Sequence, residues 1–327
     1  MTSTLIPTIE NPTVENAGGG LAVGLAGEDW TGDARFFEYH QAVDPIGSGA
    51  TPPVPLRRFS AVAGGTTGVV PLDLSADLGT PWPATSPALL ASFVTVAAGD
   101  HLPLAPVATS ELYYVLRGRS RTVIDRGVID WQEGDVVVLP AGAGAVHEAT
   151  ADATLYHVSD APLLAYLGVR PAQARFAPTR FGHARLAEEL DRVASAPDAA
   201  TRNRISVLLG TADQTQTLTV THTLWAMLGL VPAGAVQRPH RHQSVALDLV
   251  VDCRPGCYTL LGDDIDPGSG AIVDPVRVDW EPGSAFVTPP GMWHSHHNES
   301  GRPARILPIQ DAGLHTYLRS LDIRFQR

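Results

Sequence analysis

Short apolar runs rich in β-branched residues, cut by Gly, Pro and Asp, fill two long stretches of this chain. In the first, Leu89-Leu-Ala-Ser-Phe-Val-Thr-Val, Leu112-Tyr-Tyr-Val-Leu, Arg121-Thr-Val-Ile-Asp and Asp135-Val-Val-Val-Leu follow one another. Short strands at this spacing predict an antiparallel sandwich or barrel. Residues 184–195, Ala-Arg-Leu-Ala-Glu-Glu-Leu-Asp-Arg-Val-Ala-Ser, change to helical periodicity, and a second β-rich block begins at about residue 204. The expected organisation is an N-terminal arm and lead-in over residues 1–53, a barrel over 54–182, a helical linker over 183–203 and a second barrel over 204–327. The arm begins with about thirty residues rich in Gly, Thr, Asn and Pro, a composition typical of a loosely ordered terminus. The predicted class is all-β, two barrels joined by a short helical linker.

The chemistry concentrates in the second block. Gly234-Ala-Val-Gln-Arg-Pro-His240-Arg-His242 is answered some fifty residues later by Pro289-Pro-Gly291-Met-Trp-His294-Ser-His296-His297-Asn298. Strand side chains repeat every second residue, so His240 and His242 face one side of a sheet. His294, arriving behind a Pro-Gly turn, can close a three-nitrogen set around a first-row metal. His296 alternates to the same side as a ligand or an acid/base beside the ion, and His297 points away. The two blocks are similar to both halves of the cupin signature, which implies double-stranded β-helix (jelly-roll) barrels.

The first half carries a weaker copy. Glu111 and Gly118 keep the spacing of the first block, and Gly134 and Pro140 that of the second. Leu104 and Pro106, however, stand at the His-x-His positions, and Ala145 stands at the third, with His147 two residues on. His101, Glu111 and His147 lack paired-strand geometry, so this half is read as metal-free, retained for structure or dimerisation.

Asp248 interrupts the apolar run Val245-Ala-Leu-Asp-Leu-Val-Val, where burial without a partner is costly. It is expected to be a fourth metal ligand, to hold a substrate cation, or to be a solvated strand-end carboxylate. Register decides, because a one-residue slip exchanges Asp248 with Leu247 or Leu249.

The remaining composition narrows the function classes. A formal charge of −11 argues against a nucleic-acid surface. There is no lysine, which excludes Schiff-base and Walker-type lysine chemistry. No apolar run approaches the ~18 residues of a membrane span, and no secretory signal opens the chain, so a cytoplasmic location is expected. Cys253 and Cys257 read as packing residues of a hairpin.

The segment His240-Arg-His-Gln-Ser-Val-Ala-Leu-Asp248, with Trp293-His-Ser-His-His-Asn298 and the closing Leu321-Asp-Ile, resembles gentisate and salicylate 1,2-dioxygenases. The resemblance implies a bicupin, Fe(II)-dependent, ring-cleaving enzyme with one metal-bearing and one metal-free half, here in swapped order. It implies iron on His240, His242 and His294, with Mn(II), Ni(II) or Zn(II) as alternatives, and open positions for a small aromatic or enolic substrate and O2. It places His296 beside the substrate, taking its hydroxyl proton, Trp225 as a pocket aromatic, and Arg204 on a substrate carboxylate. Those enzymes carry an arginine where this chain has Asp248, so a neutral or cationic ligand group is expected there. A homo-oligomer is also expected. The competing readings are a Mn(II) decarboxylase or isomerase, and a non-catalytic bicupin that binds a small molecule.

Overall fold

The computed structural model describes residues 30–62 and 64–326. Most of the expected loose arm therefore lies outside the described residues. Residues 30–48 belong to one unit, in which the short helix Tyr39–Ala42 starts where the Glu38 side chain accepts the Gln41 N–H. The rest of the chain forms the other unit.

That larger unit holds two antiparallel barrels, each made of two sheets. In the first, a six-stranded sheet runs in the order 179–181, 136–140, 110–117, 153–159, 90–96, 68–71. A four-stranded sheet in the order 101–103, 146–149, 119–124, 127–132 faces it. The second barrel repeats the plan with a six-stranded sheet in the order 58–59, 285–288, 246–252, 304–310, 225–231, 205–209. Its five-stranded sheet runs 276–279, 257–262, 293–298, 240–242, 323–325. Arg58 and Phe59, which lie in the stretch expected to open the first barrel, pair with Phe286 and Ala285 of the second. An edge strand offers unpaired backbone groups, and this passing segment covers them.

Both six-stranded sheets are buried on two faces. Leu112, Tyr114, Val136, Val138 and Tyr156 of the first share one core with Leu247, Leu249, Val287, Leu307 and Ile309 of the second. The alternate residues Tyr113, Val115, Val137 and Leu139 fill the first barrel, and Val250, Phe286 and Ile306 the second. Apolar demand on both faces explains why these strands read as continuous hydrophobic runs. Helix His183–Ala194 lays Leu186 and Leu190 onto the shared core, as its periodicity predicts. No helix among the described residues is long and apolar enough to cross a membrane.

Helix Ala312–Leu318 follows the last long strand of the second barrel and presses against the backbone at Thr223. The Leu314 N–H donates to the Thr223 carbonyl, and a Cβ on Gly313 would meet the Thr223 carbonyl carbon at 2.6 Å. Backbone cannot yield as a flexible side chain does, so Gly313→Ala should destabilise the fold by about 1–3 kcal/mol. Gly301 has nothing within 4 Å of such a Cβ, and Gly301→Ala should stay within about 0.5 kcal/mol of wild type. Urea unfolding of the two variants checks the difference.

Candidate metal centre

His240 and His242 lie on the strand His240–His242, and His294 and His296 on Trp293–Asn298, its antiparallel neighbour, with His240 directly opposite His294. The alternation of side chains brings all four rings to the inner face. His240, His242 and His294 are buried, and each offers a ring nitrogen within 4.8 Å of the other two. His296 and Asp248 stand outside that group. His297 turns away and stacks on Tyr258 at 4.7 Å.

Hydrogen bonds orient the rings. His242 Nδ1–H donates to the Ser244 carbonyl at 2.8 Å, and His294 Nδ1–H to that of Met292 at 3.0 Å. Ser244 Oγ lies 3.0 Å from His242 Nδ1 and donates to Gln310 Oε1 at 2.9 Å. A neutral imidazole with a proton on Nδ1 keeps its lone pair on Nε2. The buried Nε2 of His242 has no hydrogen-bond partner among the described residues, a condition that ligation would relieve. His240 Nδ1 lies 3.1 Å from the His294 carbonyl, so the donor set fits a first-row ion held by three Nε2 atoms with each Nδ1 tied to a backbone carbonyl. Burial pushes the His242 pKa down to about 4 and those of His240 and His294 well below the ordinary value, with Arg204 adding repulsion. Neutral rings are the form that ligates.

The three histidines open on a cavity of about 230 Å³ that Arg204, Trp225, Asp248 and His296 also line. The candidate ligands and pocket residues of the second block thus line one cavity, whereas His297 does not. Asp248 lies within strand Ala246–Asp252, 2% exposed, with Leu247 and Leu249 directed into the shared core and its own carboxyl into the barrel. It is not a solvated strand-end group. Thr288 Oγ1 donates to its Oδ2 at 2.6 Å. Burial raises its pKa to about 6, against the opposing pull of Thr288 and Arg204. Arg204 is half-buried, donates to Gln237 Oε1 at 2.9 Å and reaches the His240 ring, 2.8 Å from Nδ1 and 2.5 Å from Nε2. The Trp225 indole N–H has no partner among the described residues.

Several neighbours carry no signal in the motifs themselves. Thr259 hydrogen-bonds His296 Nδ1 at 2.8 Å and accepts the Trp280 indole N–H at 2.8 Å. Phe325, on the strand Ile323–Phe325 that pairs with His240–His242, stacks on His240 at 5.7 Å. The available signal was a repeat between halves, since Trp131, Thr122 and His147 form the same chain in the first barrel, with both contacts at 2.9 Å. There, Tyr113 fills the interior, its ring 4.5 Å from His157 and 4.7 Å from His147, its hydroxyl donating to Glu111.

Residues 227–310 match the cupin domain family. An 84-residue stretch is 34% identical to gentisate 1,2-dioxygenase 1 of Aquipseudomonas alcaligenes, covering 26% of this chain and 20% of that protein. A 71-residue stretch is 35% identical to 5-aminosalicylate 1,2-dioxygenase of a Comamonas species, covering 21% of this chain and 19% of that one. The matches thus span about a fifth of these relatives' length. In fold the likeness is broader: the crystal structure of salicylate 1,2-dioxygenase from Pseudaminobacter salicylatoxidans superimposes with a TM-score of 0.67. It covers 83% of this chain and 88% of that one at 12% identity. The chain has a bicupin, dioxygenase-like fold.

Proposed function

We propose that the second barrel holds one Fe(II) on His240, His242 and His294 and that the protein is a dioxygenase cleaving a small aromatic or enolic ring. The observation that carries the reading is the three-histidine set opening on a cavity that charged and aromatic side chains also line. A cavity of ~150 Å³ accepts benzene, so about 230 Å³ suits one substituted ring. The similar dioxygenases act, by their names, on gentisate, salicylate and 5-aminosalicylate. A histidine-held iron would supply adjacent open positions for substrate oxygens and O2.

The protein's own groups then divide the work. Trp225 and Phe325 bound the ring. Asp248 is ionised near neutrality and stands ready to accept a proton or hold a cationic or hydroxyl group of the substrate. Arg204 also lies 2.5 Å from His240 Nε2, the nitrogen that would hold the ion, so metal loading would displace the guanidinium toward the substrate's anionic end. A gentisate carboxylate placed at Asp248 would be repelled. The reading therefore favours aminophenols, phenols without a carboxylate there, and enols of diketones. Because Asp248 lies outside the donor group, the main support for a carboxylate-ligated Mn(II) enzyme falls away.

The test is oxygen uptake by anaerobically Fe(II)-loaded protein offered such compounds alongside gentisate and salicylate. One O2 consumed per ring opened, with about one iron per chain, is the expected result. Substrate turnover with CO2 release and no O2 uptake would replace the reading with a decarboxylase.

A further inference from the structure

The family resemblance implies that His296 takes the substrate's hydroxyl proton. The structure assigns it the opposite polarity: we propose that Trp280 and Thr259 hold His296 as an Nε2–H donor aimed into the cavity. The ligand atom that meets it is then an oxygen acceptor, an oxyanion or a carbonyl, rather than a hydroxyl in need of a base. This rests on the cavity being the substrate site, as proposed above.

Protons on one buried oxygen decide the polarity. Thr259 is 0% exposed, and its hydroxyl has two contacts among the described residues, the Trp280 indole and His296 Nδ1. Indole nitrogen can only donate, so it uses one lone pair of Thr259 Oγ1. If His296 Nδ1–H donated as well, the Thr259 hydroxyl hydrogen would be left buried with no acceptor, an arrangement that folded proteins avoid. Thr259 therefore donates to Nδ1, and the proton of the neutral ring resides on Nε2. A doubly protonated ring would also carry a proton on Nε2, so the polarity does not depend on the charge state.

The flanking histidines show the contrast. His242 and His294 give their Nδ1 protons to backbone carbonyls and keep lone pairs on Nε2. His296, two residues along the strand from His294, meets a hydroxyl whose acceptor capacity Trp280 has taken. Neighbouring rings on one face thus acquire opposite polarity from what lies behind them. The first barrel builds the same relay on Trp131, Thr122 and His147, but Tyr113 fills the space in front of it. In the second barrel the resulting N–H meets an open cavity.

Thr259 and Trp280 act through His296 and are positioning residues. Long-range ¹H–¹⁵N correlation on ¹⁵N-histidine-labelled protein loaded with diamagnetic Zn(II), with His296→Gln to assign the ring, reads the tautomer directly. We expect His296 protonated at Nε2 and bare at Nδ1; a ring protonated at Nδ1 alone overturns the proposal. In the iron form, Thr259→Val should keep its metal and lose turnover by about 10-fold or more, and Thr259→Ser should recover most of it. A packing role would give the reverse order, because Val preserves the methyl shape that Ser removes, and that order would also overturn the proposal. If no compound supports O2 uptake but His296 is protonated at Nε2, the dioxygenase reading fails while the polarity stands.

Discussion

His242→Ala and His294→Ala should each weaken metal binding by at least ~100-fold, so that purified variants carry almost no iron and consume no O2. Either change removes one of three nitrogen donors and leaves a buried opening that water fills poorly. Changes to groups behind the ligands of a metal site already cost about 10–100-fold, and loss of a direct ligand costs more. His101→Ala, at an exposed position, and His147→Ala, beside the Tyr113 ring, should leave the stoichiometry at about one metal per chain. His147→Ala will destabilise the fold by emptying a buried volume, so metal content is compared per folded chain. Elemental analysis after dialysis against a weak chelator measures both sets. Two tightly held ions per wild-type chain would place a second site in the first barrel.

Asp248→Asn should raise stability at neutral pH and leave it nearly unchanged in acid. A carboxyl whose folded pKa is about 6, against the ordinary 3.8, binds its proton more tightly in the native state. Its favourable contribution is complete below about 3.8 and is lost as pH rises through about 6. Wild type therefore loses about 3 kcal/mol, to order of magnitude, between about pH 4 and 7.5 relative to an isostere that does not titrate. The asparagine can still accept the Thr288 hydroxyl bond. Denaturant melts of both proteins at about pH 4.5 and 7.5 check this, and equal differences at the two values would show that Asp248 is not desolvated. The same variant should bind aromatic carboxylates more tightly, since a charge repulsion has been removed. Efficient cleavage of gentisate or salicylate by the wild type would show that no substrate carboxylate approaches Asp248. Stability given up to keep this carboxylate buried is what a functional group in a cavity commonly costs.

Much of the site was legible in residue spacing alone. His240 and His242 sit one residue apart, His294 and His296 likewise, and a strand period of two permits only one arrangement of each pair. The helix at His183–Ala194 was equally plain, because an apolar stripe on a polar background has one period. The direction of Asp248 was not legible. Its neighbours on both sides are apolar, because one face of its sheet packs on the other barrel and the other face lines its own, so alternation carried no information. The pairing of Arg58 and Phe59 with residues 285–286 was hidden for another reason: two residues are too short to show a period.

Local order along the chain thus determined which residues could ligate, since spacing within a strand is a covalent matter and two short motifs carry it. Tertiary structure alone decided what stands behind each ring. Thr259 lies 37 residues from His296 and Trp280 is 21 residues from Thr259, and only the closing of the barrel brings them together. Nothing in a histidine's own sequence neighbourhood says which nitrogen keeps its proton. That is settled by the last unsatisfied donor or acceptor in a buried network, a property of the packed fold.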